Sequence, residues 1–393
     1  MSPIRSATAA ALASAVLATT LTGCQLGADE QDTSPIIIAA DLELSGAAAP
    51  AGEAYQRALE LKVEQLNSSG ALNGRKVELR VKDNRSDASE SLRNIGDFGA
   101  DSQVSAIIMG GCNECAVGAV GAINEKRIPT IALAPSGAVS SPVADRRYVF
   151  KLSPNAADSA AALASEMSRK GVRKAGVLHS DDAYGREGLA ALRAEFTKAG
   201  VKLLRAEAVR TTDTEVGKQV RDLVEKKPEA LVVWTPAEQA TLAATAAQQA
   251  KFEGGLFFDA AAAGDLFLGA ASVATERTTM VFTQTMVIDD VIATTPAKAA
   301  RRQWFQDYTA RFGGYNGSSS FAADAVQLIA DAELRTGGEA GQVDREGVRD
   351  GLETIQMDGL SGPIRMTPDN HSGLMPQALT TLVARNGRWR LAS

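Results

Sequence analysis

The sequence predicts an α/β protein of two lobes, each a mostly parallel β-sheet with helices on both faces. The first observation is a regular alternation of short apolar segments with segments whose apolar residues recur at helical spacing. The second is that a new series of the same alternation begins after residues 153–155, Ser-Pro-Asn. The third is length, because a chain of 393 residues exceeds what one compact hydrophobic core usually holds.

The first series contains predicted strands at residues 36–42, 76–82, 104–109 and 129–133. Between the first two strands, apolar residues recur at the spacing of a buried helix face, at Ala54, Ala58, Leu59, Val63 and Leu66. Two further helices are predicted at residues 87–100 and 113–127. Strand, helix and strand in repetition build a parallel sheet.

The second series repeats this pattern. Strands are predicted at residues 175–179, 201–209, 230–234 and 256–258, and helices at 156–170, 185–199, 214–226 and 236–251. Two such sheets in tandem leave a cleft between them. Since ligands of open parallel sheets bind outside the carboxyl ends of the strands, the strand end IIMGG at residues 107–111 is a candidate site.

The first 23 residues have the layout of an export signal, with one charge at Arg5 followed by a small and apolar run. The run is too short to cross a membrane. Residues 21–24, Leu-Thr-Gly-Cys, resemble the lipobox of bacterial lipoproteins, which predicts lipidation of Cys24, a membrane anchor and a polar tether over residues 24–34. The alternative is an ordinary cleaved signal with a chance cysteine.

Charge and hydropathy restrict the partners of the rest of the chain. The formal net charge of the whole chain is −6, and no basic stripe with interleaved aromatics occurs, so nucleic acid is not an expected partner. No later run reaches the length of a membrane span. We therefore expect a membrane association through the lipid anchor alone.

Cys112 and Cys115 form a C-x-x-C segment directly after the strand end IIMGG. A disulfide is the favoured interpretation in the oxidising compartment that an export signal implies. Zinc is disfavoured, because a closed site needs four ligands and the two histidines, His179 and His371, lie far away in sequence. A catalytic dithiol is opposed by the charge of Glu114, and free or ligand-touching thiols are the remaining alternative.

Short motifs run through the chain in a fixed order. They are LSG at residues 44–46, NGRK at 73–76, AIIMG at 106–110, IPTI at 128–131, YVFKLSP at 148–154, DDAYG at 181–185, FQDYTARFG at 305–313 and DGLSGPI at 358–364. In this order they resemble the type I periplasmic binding proteins, specifically the leucine/isoleucine/valine-binding family of ABC transporter receptors. The resemblance covers essentially all of the chain that follows the export signal.

That resemblance implies two Rossmann-like lobes joined by a three-crossover hinge near residues 151–154, 281–285 and 358–362. Lobe 1 would comprise residues 35–152 and 283–359, and lobe 2 residues 153–282 and 360–393. It also implies a monomeric, non-enzymatic protein without a cofactor or metal. Such a protein closes on a small-molecule ligand by hinge motion and delivers it to an ABC permease.

The resemblance further places ligand-holding residues in lobe 1. The family has a small polar residue at a helix start that contacts the ligand carboxylate, and Asn113, beside Cys112, stands there. A helix start offers N–H groups to an anion, although Asn113 could instead only cap its helix. The carbonyl and hydroxyl of the family's next segment correspond to Ala134 and Ser136, with an ordinary turn as the alternative role of Ser136. Ser45 is a further candidate.

In lobe 2, Tyr184 is expected to place its ring over the cleft, where an aromatic covers an apolar group and offers a hydroxyl. Trp234 ends another strand and is a candidate for the same wall, with simple core packing as the alternative. Asp259 ends the next strand, where the family often has an acid for a ligand ammonium. Its alternative role is to cap the segment that follows.

Two departures from the family leave the ligand open. Residues 47–52, AAAPAG, stand where branched-chain amino acid receptors carry an aromatic, and no aromatic follows before Tyr55. The C-x-x-C segment replaces a hydroxyl-rich turn. An aliphatic or branched-chain amino acid is the leading prediction, and a larger amide-type or aromatic-acid ligand would use the vacated space.

Other functional classes are less well supported. Ser136, His179 and Asp181 could be nominated as a catalytic set, but no G-x-S-x-G elbow is present. Neither a P-loop nor a dinucleotide-binding G-x-G-x-x-G follows a strand. A ligand sensor or cell-envelope interaction protein is the more serious alternative, because a fold does not determine a function.

Overall fold

The structure is a computed structural model that describes residues 32–46, 48–263, 274–336 and 341–392. The export signal at residues 1–23 and the lipidation site at Cys24 lie outside the described residues. So do most of the tether and Ala47, one of the small residues that replace the family's aromatic.

Helices and strands alternate along the described chain. The helices are α1 (Ala49–Ser69), α2 (Ala88–Ala100), α3 (Asn113–Lys126), α4 (Ala156–Arg169), α5 (Ala183–Ala199), α6 (Gly217–Val224), α7 (Ala237–Gln249), α8 (Pro296–Phe312), α9 (Ser319–Glu333) and α10 (Arg345–Leu352). Short 3-10 turns cover Gly137–Val139, Val143–Asp145, Ala260–Ala262, Gln284–Asp290 and Pro376–Ala378.

The first sheet is entirely parallel. Its strands are β1 (Ile36–Leu42), β2 (Val77–Asp83), β3 (Val104–Met109), β4 (Thr130–Ala132) and β5 (Val149–Lys151). They lie in the order β2-β1-β3-β4-β5. The order reverses beside β1, and ligands of open α/β sheets bind at such a switch point.

The second sheet is mixed. Its parallel part consists of β6 (Lys174–Ser180), β7 (Lys202–Val209), β8 (Ala230–Trp234), β9 (Gly255–Phe258) and β10 (Thr279–Thr283). Two antiparallel strands, β13 (Leu379–Arg385) and β14 (Arg388–Leu391), extend it beyond β10. The strands β11 (Gln356–Asp358) and β12 (Pro363–Arg365) form a separate hairpin.

Helices cover both faces of each sheet, so the central strands are buried on two sides. In β1, Ile36 and Ile38 pack into one hydrophobic cluster, whereas Ile37 and Ala39 pack into another on the opposite face. Such two-sided burial produces continuous apolar runs in place of alternation. The sequence prediction of two α/β lobes with mostly parallel sheets and flanking helices is therefore confirmed.

The C-terminal helices return to the first sheet. Helix α9 packs against α1. Arg345 of α10 donates hydrogen bonds to the carbonyls of Gly99, Asp101 and Val104, next to β3. After these helices the chain returns once more and supplies β13 and β14 to the second sheet.

Hydrogen bonds tie the connecting segments between the lobes to one another. At the end of β5, the N–H of Lys151 donates to the carbonyl of His371, and the N–H of Gly373 donates to the carbonyl of Lys151, both at 2.9 Å. Asp324 of α9 accepts hydrogen bonds from the N–H groups of Leu360 and Ser361 at 2.8 and 2.7 Å. The predicted crossover residues near 151–154 and 358–362 therefore lie in hydrogen-bonded segments.

Candidate ligand-binding site

A cavity of about 280 Å³ lies at the carboxyl ends of the parallel strands. Residues that follow β3, β4 and β5 form its wall on the side of the first sheet. Residues at the ends of β6, β8 and β9 form its wall on the side of the second. The residue after β1, the end of β10, the starts of α1 and α4 and the segment leading into α9 also belong to the described lining. The cavity lies where ligands of parallel sheets bind.

Much of the wall is aromatic. The described aromatic lining residues are Tyr55, Tyr184, Trp234, Phe282 and Phe321. Tyr184, at the second position of α5, is buried, and its ring centroid lies 6.0 Å from that of Trp234. A Cβ at Gly188, one turn further along α5, would lie 2.3 Å from the indole ring, so this close approach requires glycine.

Tyr55 lines the part of the wall beside the start of α1, where the sequence predicted only the small side chains of residues 47–52. It is buried on the inner face of α1, and its hydroxyl lies near Gly111, where a Cβ would stand 3.2 Å away. Burial raises the pKa of Tyr55, and the nearby Glu43 adds to this effect. The signal that could have identified Tyr55 is its helical spacing from the buried Ala58 and Leu59, three and four positions later.

Asp259 follows β9 and is only 1% exposed. Neither of its carboxylate oxygens has a hydrogen-bond partner among the described residues. Its side chain makes no capping hydrogen bond with the 3-10 turn at Ala260–Ala262, in contrast to the alternative role considered for it. Burial raises its pKa well above the usual value, although the nearby N–H groups of Asp259 and Ala261 oppose this in part. A buried carboxylate of this kind favours a cationic or hydrogen-bond-donating partner.

Glu43 is a second buried acid in the lining, and sequence reasoning did not identify it. It follows β1, is 1% exposed, and accepts a hydrogen bond through Oε1 from the N–H of Cys112 at 2.6 Å. Its Oε2 has no hydrogen-bond partner among the described residues. Burial raises the pKa of Glu43 to about 7; the backbone N–H groups of Glu43, Cys112 and Gly111 oppose this in part, and Asp41 adds a smaller contribution in the raising direction.

The N–H groups at the start of α3 were expected to bind a ligand carboxylate, but two of them already have partners within the protein. The amide of Cys112 is already bound by Glu43, and the amide of Cys115 donates to Sγ of Cys112 at 3.1 Å. Asn113 lines the cavity, but its Oδ1 accepts from the N–H of Ser136 at 2.8 Å. The N-cap of α3 is Cys112, so Asn113 does not cap the helix.

Ser136 lies at a contact between the two lobes. It is buried, it is not among the described lining residues, and its Oγ donates to Glu187 of α5 at 3.1 Å. The N–H of Gly137 donates to the same carboxylate at 2.8 Å. His179, which was considered with Ser136 as a catalytic set, instead contacts the carbonyl of Ser180 through Nδ1.

Cys112 and Cys115 form a disulfide with a Cα–Cα distance of 5.2 Å. Only Cys112 of the pair is among the described lining residues. The disulfide closes the first turn of α3, and Cys112, the N-cap of this helix, also donates its amide to Glu43. It thus helps to shape the helix start at the wall of the cavity.

Besides Ser136, two more predicted ligand-binding residues lie outside the described lining. Ser45 is exposed, and its Oγ donates to Asp83 at 2.6 Å in the turn after β1. Ala134 is buried, and its carbonyl accepts from Oγ of Ser153 at 3.0 Å. Both residues support neighbouring loops by hydrogen bonds that sequence spacing alone does not reveal.

Lys151 is a buried cation that sequence reasoning did not assign to the site. Its Nζ donates to the carbonyls of Ser153 and Pro154 at 3.0 and 3.2 Å. Burial lowers the pKa of Lys151 to about 8. Since Ser153 and Pro154 line the cavity, Lys151 positions the wall without entering the described lining.

A model of the periplasmic binding protein family matches residues 35–388. This chain belongs to the periplasmic binding protein family. Its fold is that of the type I members, and the family is one of extracytoplasmic, non-enzymatic solute-binding proteins of ABC transporters. The predicted resemblance is confirmed at this level.

Solved structures share the fold of this periplasmic binding protein. An extracellular ligand-binding receptor from Rhodopseudomonas palustris HaA2 has a TM-score of 0.83 at 22% identity, over 91% of this chain and 99% of that one. A leucine-binding protein from Thermotoga maritima MSB8 has a TM-score of 0.78 at 19% identity, over 91% of this chain and 98% of that one. A solute-binding protein of an ABC transporter from R. palustris BisB5, in complex with 3,4-dihydroxy benzoic acid, has a TM-score of 0.78 at 17% identity, over 91% of this chain and 95% of that one.

Two kinds of feature are absent from the part of the chain that the structure describes. No described helix combines the length and apolar character needed to cross a membrane. No group of three or more His, Cys, Asp or Glu side chains in the same part of the chain is arranged to hold a metal ion.

Proposed function

We propose that this protein is the lipid-anchored receptor of an ABC importer, attached through Cys24, and that it binds a small amino compound between its lobes. The leading class from the sequence is an aliphatic or branched-chain amino acid or a related compound. The bound ligand is delivered to the permease, and the receptor acts as a monomer.

The observation that carries this proposal is Asp259 in the wall of an otherwise largely apolar cavity. Its two carboxylate oxygens lack hydrogen-bond partners among the described residues, so a ligand ammonium would supply the missing donors. Charge-assisted hydrogen bonds are roughly twice as strong as neutral ones. The rings of Tyr184 and Trp234 offer apolar surface to the body of the same ligand.

A thermal-shift screen tests the proposal. The protein is purified in mild detergent with its own N-terminus, unfolded and refolded once to remove carried-over ligand, and screened against amino acids, amines, amides and organic acids. A ligand that binds only the native state adds about 2.7 kcal/mol of apparent stability at a hundredfold excess over its dissociation constant. We expect amino compounds to give the shifts.

Two variants sharpen the screen. Asp259→Asn should remove the shift, whereas Asp369→Asn, which changes an exposed acid outside the described lining, should retain it. Shifts only with organic acids would contradict the amino-compound class, and no shift with any compound would contradict the receptor function. For the anchor, Cys24→Ser should move the protein from the membrane fraction to the soluble extracytoplasmic fraction.

A further inference from the structure

The cavity has a second acidic position, on the side of the first sheet. Oε1 of Glu43 is bound by the amide of Cys112, but Oε2 has no partner among the described residues. The carboxylate fits closely against Gly110, where a Cβ would lie 2.1 Å from Oε2. The backbone therefore leaves room for this carboxylate only because residue 110 is glycine.

Glu43 lies where a bound anion would otherwise contact the start of α3. A helix start normally offers free N–H groups and a positive dipole end to an anion. Here the protein's own carboxylate takes the amide of Cys112, and Sγ of Cys112 takes the amide of Cys115. A ligand carboxylate placed at this end would meet Glu43, a group of like charge.

The charges of the wall point the same way. Among the described lining residues the acids are Glu43, Asp182 and Asp259, and none is Lys, Arg or His. Asp182 is already committed as the cap of α5, since its Oδ1 accepts from the N–H of Gly185 at 2.7 Å and from Oγ of Ser180. The two acids with unpaired oxygens therefore come one from each lobe.

We propose that the ligand is a compact organic dication of the diamine type, with one ammonium bound by Asp259 and the other by Glu43. This inference rests on the proposed receptor function and makes its ligand class specific. Two buried carboxylates without a basic neighbour in the described lining are balanced when the ligand itself carries both positive charges. The aromatic wall holds the apolar spacer and attracts its charged ends by cation–π interactions.

Isothermal titration calorimetry of the same full-length protein in detergent tests this inference. The probes are the linear diamines from ethylenediamine to hexamethylenediamine, and for each length the n-alkyl monoamine and the ω-amino acid. The ω-amino acid replaces one ammonium by a carboxylate and leaves the other end unchanged. We expect one diamine to bind at least about tenfold more tightly than both of its matched compounds, since each factor of ten corresponds to about 1.4 kcal/mol.

The Glu43→Gln variant keeps the shape and the acceptor for Cys112 while it removes the charge. It should reduce the preference for diamine over monoamine, whereas Glu166→Gln, at a buried acid outside the described lining, should leave that preference unchanged. An ω-amino acid or leucine that binds more tightly than every diamine would overturn the inference and leave the receptor function intact. Absence of diamine binding to the wild-type protein would overturn it equally.

Discussion

Removal of Glu187 should weaken ligand binding although this residue lies outside the described cavity lining. Glu187 belongs to α5, at the second sheet, and its carboxylate accepts hydrogen bonds from Oγ of Ser136 and the N–H of Gly137. The two donors follow β4 of the first sheet. The contact therefore exists only while the lobes are close together, and it stabilises the closed form relative to an open one.

The size of the effect follows from the number of bonds and their exposure. A hydrogen bond to a charged group contributes about 1.5–3 kcal/mol, and Glu187 accepts from two donors. Because Glu187 is partly exposed, solvent screening reduces the contribution, and we take about 1–2 kcal/mol for both bonds together. That corresponds to a change of about 5–30-fold in the ratio of closed to open protein.

When a ligand binds only the closed form, its apparent dissociation constant increases as the closed fraction falls. We therefore expect Glu187→Ala to raise the dissociation constant of the best compound from the screen by up to about 5–30-fold, the full factor applying where the open form predominates in the ligand-free protein. Titration calorimetry measures this change, and small-angle scattering of the ligand-free protein should show a larger radius of gyration.

Glu195→Ala is the matched control, because Glu195 lies on the same helix and pairs with Lys198 within it. It should leave both the affinity and the scattering unchanged. Ser136→Ala and Glu187→Ala should be non-additive when combined, since the two residues share one contact. Wild-type affinity in Glu187→Ala, together with unchanged scattering, would refute the closure argument.

Three further outcomes are expected. Tyr184→Leu keeps much of the apolar volume but removes the aromatic ring and the hydroxyl, so ligand affinity should fall about tenfold. Circular dichroism should show that the variant remains folded. Unchanged affinity would place the ring outside the site. Burial raises the pKa of Glu43 to about 7, so this carboxyl group loses its proton and becomes negatively charged between about pH 6 and about pH 8. Diamine affinity should therefore be about tenfold higher at about pH 8 than at about pH 6, and Asp259 should act in the same direction. An affinity that does not change with pH would contradict this. The unreduced Cys24→Ser protein, in which Cys112 and Cys115 are the remaining cysteines, should contain no free thiol, and two reactive thiols would exclude the disulfide.

The parallel core could be predicted because its signals are local. Strands buried on both faces give continuous apolar runs such as residues 104–109, and helix ends carry visible caps. Asp87 accepts from the N–H of Glu90 at the start of α2, and Gly70 ends α1 with a φ of 73°. The prediction for α6 was too long, since Val216 has a non-helical φ of −126° and the helix covers only Gly217–Val224.

The C-terminal part of the second sheet was not predicted as strands. β14 has only one buried residue, Trp389, and β13 is partly exposed over its first half. β13 pairs with β10, about a hundred positions earlier in the chain, and β14 pairs with β13; hydrophobic periodicity does not register such distant pairing. The family resemblance implied this return of the chain, whereas the local pattern did not.

The site was predictable where it follows strand ends. Asn113, Tyr184, Trp234 and Asp259 all line the cavity, because parallel strands bring their carboxyl ends to one edge. Glu43 also follows a strand, but it was missed because its partner, Cys112, is 69 residues away and its carboxylate fits only beside a glycine, Gly110.

The raised pKa values of Glu43 and Asp259 also predict how the free energy of unfolding depends on pH. The folded-state pKa of Glu43 lies above its usual value of 4.5, at about 7, so the folded protein binds more protons than the unfolded chain in this interval. Stability therefore falls as the pH rises from about 4.5 to about 7, and the buried charge is fully unfavourable above that range. Asp259 acts in the same direction.

Neutralising both acids should therefore stabilise the protein while it abolishes binding. We expect the double variant Glu43→Gln, Asp259→Asn to gain on the order of 1–3 kcal/mol in urea unfolding at about pH 8 without ligand, and little at about pH 4. A variant that is more stable but no longer binds its ligand shows the trade-off expected of residues that serve binding and not folding. A double variant less stable than the wild-type protein at about pH 8 would mean that the two carboxylates have partners within the fold, and the argument for a dicationic ligand would lose its basis.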